Sequence, residues 1–154
     1  MTMTVEELLE MEEIKSLRIM YSHYFDAGDL DNLATLFTED AICEFGEEYG
    51  GNWVGRETIR KNYGNYATEG LLPHSFMHAN TNPWIRLTGP DTANGRWYLL
   101  DLNLREDADN PLTLFGIYDD VYRKVGGKWL IAKTRIDFLW PRREFKGLRE
   151  KSEL

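Results

Sequence analysis

The chain has 154 residues, of which 42% are hydrophobic and 29% charged, proportions that are ordinary for one globular domain. Its formal net charge is −8, so a nucleic-acid backbone is not an expected partner. The charge is uneven, because residues 142–154 carry five Lys or Arg against three Glu, which leaves +2 there and −10 on the rest. We therefore predict one domain over residues 1–141 and a basic C-terminal tail over residues 142–154. We expect the tail to be solvated, with binding to an anionic partner or a neighbouring subunit as the alternative.

The ends of the chain and its cysteine content indicate the cellular compartment. The acidic N-terminal stretch lacks the long apolar core of a secretory signal, and no apolar run has the length of a membrane span. The single cysteine, Cys43, has no partner for an internal disulfide and lies in an apolar run, so we expect a small buried hydrophobic residue. These features predict a cytoplasmic protein that does not bind membranes.

The first 66 residues show helical signals. Thr4 followed by Glu7 is a capping box that predicts a helix reaching Ala27, and Gly28 provides a left-handed stop. One face of this helix is apolar at helical spacing, through Ile14, Leu17, Tyr21 and Phe25. Asp29 is placed to cap a short helix over residues 30–37, and residues 55–66 read as a third helix. Between them, residues 40–46 read as a strand.

From about residue 73 the pattern changes to strands. Aromatic and β-branched residues predict strands over residues 74–89, 96–106, 112–125 and 129–140, with the last two joined as a hairpin by the turn at residues 126–128. Helices that precede consecutive antiparallel strands indicate an α+β domain, with the helices packed on one face of the sheet.

Common cofactor and metal motifs are missing from the sequence. It contains neither G-x-G-x-x-G nor G-x-S-x-G. His74 and His78 are four residues apart but lack the Glu of H-E-x-x-H, and in an extended segment they would lie about 13 Å apart. We therefore predict neither a cofactor nor a metal.

Two carboxylates occupy positions that usually disfavour them. Asp26 lies in the last turn of the first helix, where the helix dipole disfavours an anion by about 0.3–1 kcal/mol. It is either an ordinary turn residue or a functional group. Asp101 interrupts the apolar strand "WYLLDLNL" and shares a face with Trp97, Leu99 and Asn103. That face points either to a cavity or to solvent.

Three further polar residues have equally ordinary alternatives. His78 shares a strand face with Phe76 and Asn80 and could be a satisfied core histidine. Arg135 could be a solvated strand residue or a partner of Asp137. Tyr21, on the apolar face of the first helix, could simply belong to the core.

Four segments together carry a resemblance to a known family: "IKSLRIMYSHYFDAGDLDNLATLFTEDA", "FMHANTNPWI", "GRWYLL" and "GIYDDVYRKVGGKWLIAKTRI". In this order they resemble the SnoaL-like branch of the NTF2-like superfamily, over roughly residues 5–139. Within it the chain looks most like the bile-acid 7α-dehydratase group, and more distantly like scytalone dehydratase and hexachlorocyclohexane dehydrochlorinase. The resemblance implies a cystatin-like cone, in which a curved, mostly antiparallel sheet wraps around N-terminal helices and encloses a pocket. It also implies a homodimer or homotrimer.

The resemblance further implies a set of catalytic residues. The family pattern has a Tyr and an Asp five apart at the end of the first helix, a His on a strand, an Asp in the "GRWYL-x-D" strand and an Arg near the last strand. These match Tyr21, Asp26, His78, Asp101 and Arg135. Asp26 would orient His78 as a general base, Tyr21 would stabilise an enolate, Asp101 would assist departure of a hydroxyl, and Arg135 would orient an acidic or carbonyl end of the substrate.

The activity implied is that of a cofactor-independent dehydratase acting on a small, apolar, ring-containing hydroxy substrate activated by a carbonyl. Exchanging the roles of Tyr21 and Asp101 fits the sequence equally well. An isomerase or a polyketide-cyclase-type enzyme with the same pocket is one alternative. A non-catalytic ligand-binding or assembly subunit is another.

Overall fold

The computed structural model describes residues 2–66 and 73–150 of the chain. In chain order its elements are α1 (Val5–Ala27), α2 (Leu30–Thr35), β1 (Phe37–Glu44), a single 3-10 turn (Glu47–Tyr49), β2 (Asn52–Val54), α3 (Arg56–Tyr66), β3 (Phe76–Gly89), β4 (Thr92–Asn103), β5 (Leu112–Val125) and β6 (Lys128–Trp140). The predicted α+β class is confirmed.

Within the described ranges, the strands form one sheet in the order β2-β1-β6-β5-β4-β3. Neighbouring strands are antiparallel except for β1 and β6, which are parallel. Register shifts between Thr81 and Trp84, and between Asp101 and Leu102, interrupt the long strand pairs. Such irregularities bend a sheet, and this sheet is curved as expected.

Helix α1 begins and ends at the predicted residues. The Thr4 side chain accepts a hydrogen bond from the Glu7 backbone N–H at 3.1 Å, and Glu7 accepts one from the Thr4 N–H at 2.8 Å. Gly28 follows the helix with φ of 74°, a left-handed conformation that glycine adopts without strain. The side of the sheet on which α1 packs is called the inner face below, and the opposite side is the outer face.

Strand β4 begins four residues earlier than predicted, because Gly95 is a strand residue and not a turn residue. A Cβ at this position would lie 2.5 Å from Cδ1 of Ile85 and 3.1 Å from Cε2 of Tyr122. The glycine thus leaves room for these two side chains on the inner face. Strand β1 also starts early, at Phe37, and the short β2 was not predicted at all.

Alternation along β4 decides where Asp101 points. Trp97 and Leu99 are buried on the inner face, whereas Tyr98 between them is half exposed on the outer face. Asp101 follows the same alternation, and its side chain is only 18% exposed. It therefore faces inward, and the surface-facing alternative is wrong.

The described part of the tail folds back on the outer face of the sheet. Phe138 and Glu144 exchange backbone hydrogen bonds of 3.0 and 2.9 Å. Farther along, the Arg149 side chain is 1% exposed and donates to the backbone carbonyl of Asp119 at 2.9 Å. The expectation of a solvated tail is therefore wrong for Arg149.

Candidate active site

A cavity of about 290 Å³ lies between α1, α3 and the inner face of the sheet. Its volume is near the lower end of the range for small-molecule sites. The described lining is rich in aromatic residues, namely Tyr21, Phe25, Phe45, Tyr49, Trp53, Tyr63, Tyr66, Phe76 and Tyr118. Asp26, His78 and Asp101 are among the polar side chains of the lining.

Asp26 and His78 are joined by two hydrogen bonds. Oδ1 of Asp26 lies 2.5 Å from Nδ1 of His78, and Oδ2 accepts from the His78 backbone N–H at 3.0 Å. An ionised carboxylate can only accept, so this contact favours the neutral tautomer of His78 in which Nδ1 carries the proton and Nε2 has a free lone pair. The two donors of His78 also compensate the carboxylate for its position at the negative end of α1. Asp26 is thus more than a turn residue.

Asp101 lies directly opposite His78 in the register of β3 and β4. Its Oδ2 is 3.9 Å from Nε2 of His78, too long for a hydrogen bond and long enough to leave both atoms available to a ligand. Burial raises the pKa of the Asp101 carboxyl, and the negative charge of Asp26 raises it further. A positive charge on His78 acts in the opposite direction. Oδ1 of Asp101 is buried without a hydrogen-bond partner among the described residues. The site therefore places an imidazole nitrogen next to a carboxyl whose pKa is raised by burial.

Three tyrosine hydroxyls meet at the cavity. Oη of Tyr21 lies 2.9 Å from Oη of Tyr63 and 3.3 Å from Oη of Tyr118. Burial raises the pKa of all three, so they remain protonated hydrogen-bond donors. Only Tyr21 was singled out from the sequence. Only weak signals in the sequence indicated that the other two face inward. Tyr63 follows Ile59 by one helical turn, and Tyr118 alternates with outward-facing residues of β5.

Arg135 does not join the other four predicted residues. It lies on the outer face, between the inward-facing Thr134 and Ile136, and donates to Oδ1 of Asp137 at 3.0 Å and to the Gly147 carbonyl at 2.5 Å. It does not line the cavity. The expected substrate-orienting role of Arg135 is corrected accordingly, and the alternative of an ion pair with Asp137 is confirmed.

One residue near the cavity was missed altogether. Arg18 is fully buried beneath Tyr21 and forms an ion pair of 2.5 Å with Asp120. Its position one turn from both Ile14 and Tyr21 places it on the apolar stripe of α1. That placement could have indicated that Arg18 is buried, but an arginine on a helix is normally expected to face solvent.

Cys43 is buried and burial raises the pKa of its thiol, as expected for a hydrophobic core residue. Among residues 2–66 and 73–150, no group of three or more His, Cys, Asp or Glu is arranged to hold a metal ion. None of the helices described by the structure is long and apolar enough to cross a membrane.

The helices, the curved sheet and the cavity on its inner face define a class of protein, the NTF2-like domains with a cystatin-like fold. Residues 6–135 match the family model described as a SnoaL-like domain, so the chain belongs to that family. This confirms the family predicted from the sequence. The particular closeness to bile-acid 7α-dehydratases stays a prediction.

Solved structures agree with this assignment. A candidate scytalone dehydratase from Novosphingobium aromaticivorans is 26% identical, with a TM-score of 0.78 over 96% of this chain and 100% of that chain. A candidate aromatic ring hydroxylase from the same organism is also 26% identical, with a TM-score of 0.74 over 91% and 94% of the two chains. A Nostoc punctiforme protein with a cystatin-like fold is 23% identical, with a TM-score of 0.72 over 92% and 97%, and it shows the shared fold alone.

Proposed function

We propose that this protein is a cofactor-independent hydro-lyase that removes water from an uncharged ring ketone carrying a hydroxyl β to the carbonyl. The observation that carries the proposal is the alignment of Asp26, His78 and Asp101 at an aromatic cavity, with a base and an acid 3.9 Å apart. The similarity to a candidate scytalone dehydratase supports the same class of reaction.

The first step is removal of a proton from the carbon between the carbonyl and the hydroxyl-bearing carbon. Nε2 of His78 takes this proton, and the electron pair of the C–H bond forms an enolate. Asp26 then stabilises the imidazolium through the 2.5 Å hydrogen bond to Nδ1. Orientation and charge stabilisation by the same carboxylate explain why Asp26 lies in the last turn of α1.

The enolate oxygen needs hydrogen-bond donors. The hydroxyl of Tyr21, supported by those of Tyr63 and Tyr118, provides preorganised donors in a site of low polarity. Removing one such donor from an oxyanion site typically lowers the rate about 10²–10³-fold.

The second step breaks the C–O bond. Asp101 gives its proton to the leaving hydroxyl while the enolate collapses to the conjugated ketone and water departs. Burial raises the pKa of this carboxyl and so favours the protonated form that the step requires. The proton held by His78 then returns to Asp101, which restores both groups. In the alternative assignment, Tyr21 protonates the hydroxyl and Asp101 holds the enolate. Tyr21→Phe and Asp101→Asn distinguish the two assignments, because only the variant that lacks the enolate donor should also lose exchange of the acidic C–H.

The substrate is expected to be uncharged. The described lining contains the carboxyls of Asp26 and Asp101 but neither Lys nor Arg. A carboxylate in this cavity would meet like charge and would lose its hydration without gaining a counterion. We therefore expect a ring ketone to bind more tightly than the same ring bearing a carboxylate.

The test follows bicyclic β-hydroxy ketones by the absorbance of the conjugated product and, in D2O, by deuterium uptake at the acidic carbon. Formation of enone by the wild type but not by His78→Ala supports the hydro-lyase. Deuterium uptake without enone indicates an isomerase or cyclase that shares the first step. Ring ketones that bind without either reaction would show a non-catalytic ligand-binding subunit.

A further inference from the structure

A buried cation lies against the tyrosine cluster. Arg18 has no solvent exposure, and its guanidinium carbon lies 4.4 Å from the ring centroid of Tyr21 and 4.0 Å from that of Tyr118. Burying a guanidinium costs free energy because it loses its hydration. A buried arginine next to two cavity-lining rings therefore calls for an explanation.

Asp120, the counterion of Arg18, does not line the cavity. Asp120 accepts from Arg18 Nε at 3.1 Å and from Nη2 at 2.5 Å, and also from the hydroxyl of Tyr122 at 2.7 Å. Tyr122 in turn accepts from the indole N–H of Trp97 at 3.1 Å. Neither Tyr122 nor Trp97 lines the cavity, so the carboxylate is held away from it while the guanidinium contacts the cavity tyrosines.

This arrangement has an electrostatic consequence for the hydroxyls. A cation over an aromatic ring stabilises added electron density on that ring, and a phenol that donates a hydrogen bond to an anion gains such density. Burial raises the pKa of Tyr21 and Tyr118, and the Arg18 cation opposes the rise in both. Burial and the negative charge of Asp120 raise the pKa of Tyr122, and the Arg18 cation opposes this rise too.

We propose that Arg18 is a positioning residue of the cavity, which acts through Tyr21 and Tyr118 by making their hydroxyls stronger hydrogen-bond donors to an oxygen that gains negative charge. The benefit for catalysis rests on the proposed function, because it needs an enolate to form. The effect on the hydroxyls does not depend on turnover and can be measured without it.

Two variants separate charge from packing. Arg18→Met with Asp120→Asn removes both members of the ion pair, so no buried charge is left uncompensated and the fold is retained. Arg18→Lys is the matched control, since it keeps a cation opposite Asp120 but loses the planar group. Thermal unfolding of each variant shows whether the fold is kept.

The binding test uses phenol and fluorinated phenols, which differ strongly in acidity but little in size. In the wild type, affinity should increase with the acidity of the phenol. In the doubly substituted protein the preference for the most acidic phenol should fall by about tenfold, the equivalent of one pKa unit, and in Arg18→Lys it should largely persist. A preference unchanged in the doubly substituted protein, or lost equally in Arg18→Lys, would overturn the proposal.

A second measurement needs no ligand. NMR of protein labelled at Cζ of tyrosine reports the ionisation of each phenol. The pKa of Tyr21 should rise further in the doubly substituted protein, by about one unit, and should stay near the wild-type value in Arg18→Lys. An unchanged Tyr21 pKa overturns the role of Arg18 whatever the phenols do. If the wild type binds no phenol, the proposed ring-ligand cavity fails, and the NMR result alone decides the role of Arg18.

Discussion

Each face of the sheet carries a largely buried cluster of charged residues. The two clusters differ in whether their charged groups contact one another or leave a gap. The inner cluster comprises Asp26, His78 and Asp101, and the outer cluster comprises Asp119 with Arg96, Arg135 and Arg149. In the outer cluster the arginines contact acids, with Arg149 lying 3.1 Å from Oδ1 of Asp119 and Arg96 lying 3.3 Å from Oδ2. In the inner cluster the contact between His78 and Asp101 is left open at 3.9 Å.

The difference lies in what the charges are paired with. In the outer cluster three guanidiniums surround Asp119 beneath the tail, at 3.1 to 3.5 Å, and none of the four residues lines the large cavity. In the inner cluster two carboxyls share one imidazole. Burial raises the pKa of one carboxyl in each cluster, Asp101 in the inner cluster and Asp119 in the outer cluster, so the pKa shift alone does not separate them. An imidazole and a carboxyl that are left open to a cavity are typical of a site for chemistry, whereas charge pairs beneath a covering segment are typical of structure.

The largest expected effect is on proton transfer. His78→Ala should lower the rate of deuterium uptake by a ring ketone about 10²–10⁴-fold, the usual contribution of a general base, and a cooperative urea transition should show that the fold is retained. His23→Ala is the matched control, since His23 is exposed on α1 and should keep the wild-type rate. If His78→Ala takes up deuterium within a few-fold of the wild-type rate, His78 is not the base.

The next effect is on stability and concerns the outer cluster. Arg135→Met leaves the fully buried Asp137 without its guanidinium partner and should lower the free energy of unfolding by about 3 kcal/mol. Deuterium uptake per folded molecule should be unchanged, because Arg135 does not reach the cavity. Urea denaturation and the exchange assay together check this. A stable Arg135→Met protein without activity would restore the substrate-orienting role.

A smaller effect distinguishes the protonation state of Asp101. Because its pKa is raised in the folded protein, the folded state binds this proton more tightly than the unfolded state does. The stability contributed by the residue is therefore lost as pH rises from the ordinary carboxyl pKa through the raised one. Asp101→Asn has no such loss, so its melting temperature relative to wild type should increase from acidic to neutral pH. A relative melting temperature that is constant or falls with pH would indicate an ordinary or lowered pKa.

The smallest effect concerns Arg142, the half-exposed first residue of the tail. Arg142 pairs with Glu48, but its side chain is 38% exposed, so Arg142→Ala should cost less than about 1 kcal/mol in urea denaturation. The contrast with Arg135→Met tests whether burial decides the strength of these pairs. Equal losses in the two variants would contradict it.

Local signals were sufficient for much of this molecule. The capping box at Thr4 and the stop at Gly28 each depend on a few neighbouring residues. Alternation along β4 placed Asp101 on one face with Trp97 and Leu99, but it left open whether that face points to a cavity or to solvent. The contact between Asp26 and His78 spans 52 residues, and it was predicted only through the resemblance to a family.

The misplaced features depend on distant contacts that no local pattern shows. Arg18 meets its partner Asp120 across 102 residues, so its burial could not be read from a helix in which arginines usually face water. Gly95 looked like a turn residue, because the side chains that exclude a Cβ there belong to β3 and β5. Arg135 was placed in the cavity by the family pattern, whereas Asp137 and the folded-back tail hold it on the other face.

The central claim, that Asp26 fixes His78 as a base with its free lone pair on Nε2, is tested most directly by the imidazole 15N shifts. They should be recorded in mildly alkaline solution for the wild type and for Asp26→Asn. The account predicts that His78 in the wild type is a single tautomer with the proton on Nδ1, and that this preference weakens or is lost in Asp26→Asn while His23 and His74 do not change. A His78 that shows the proton on Nε2, or the same mixture of tautomers in both proteins, would contradict it.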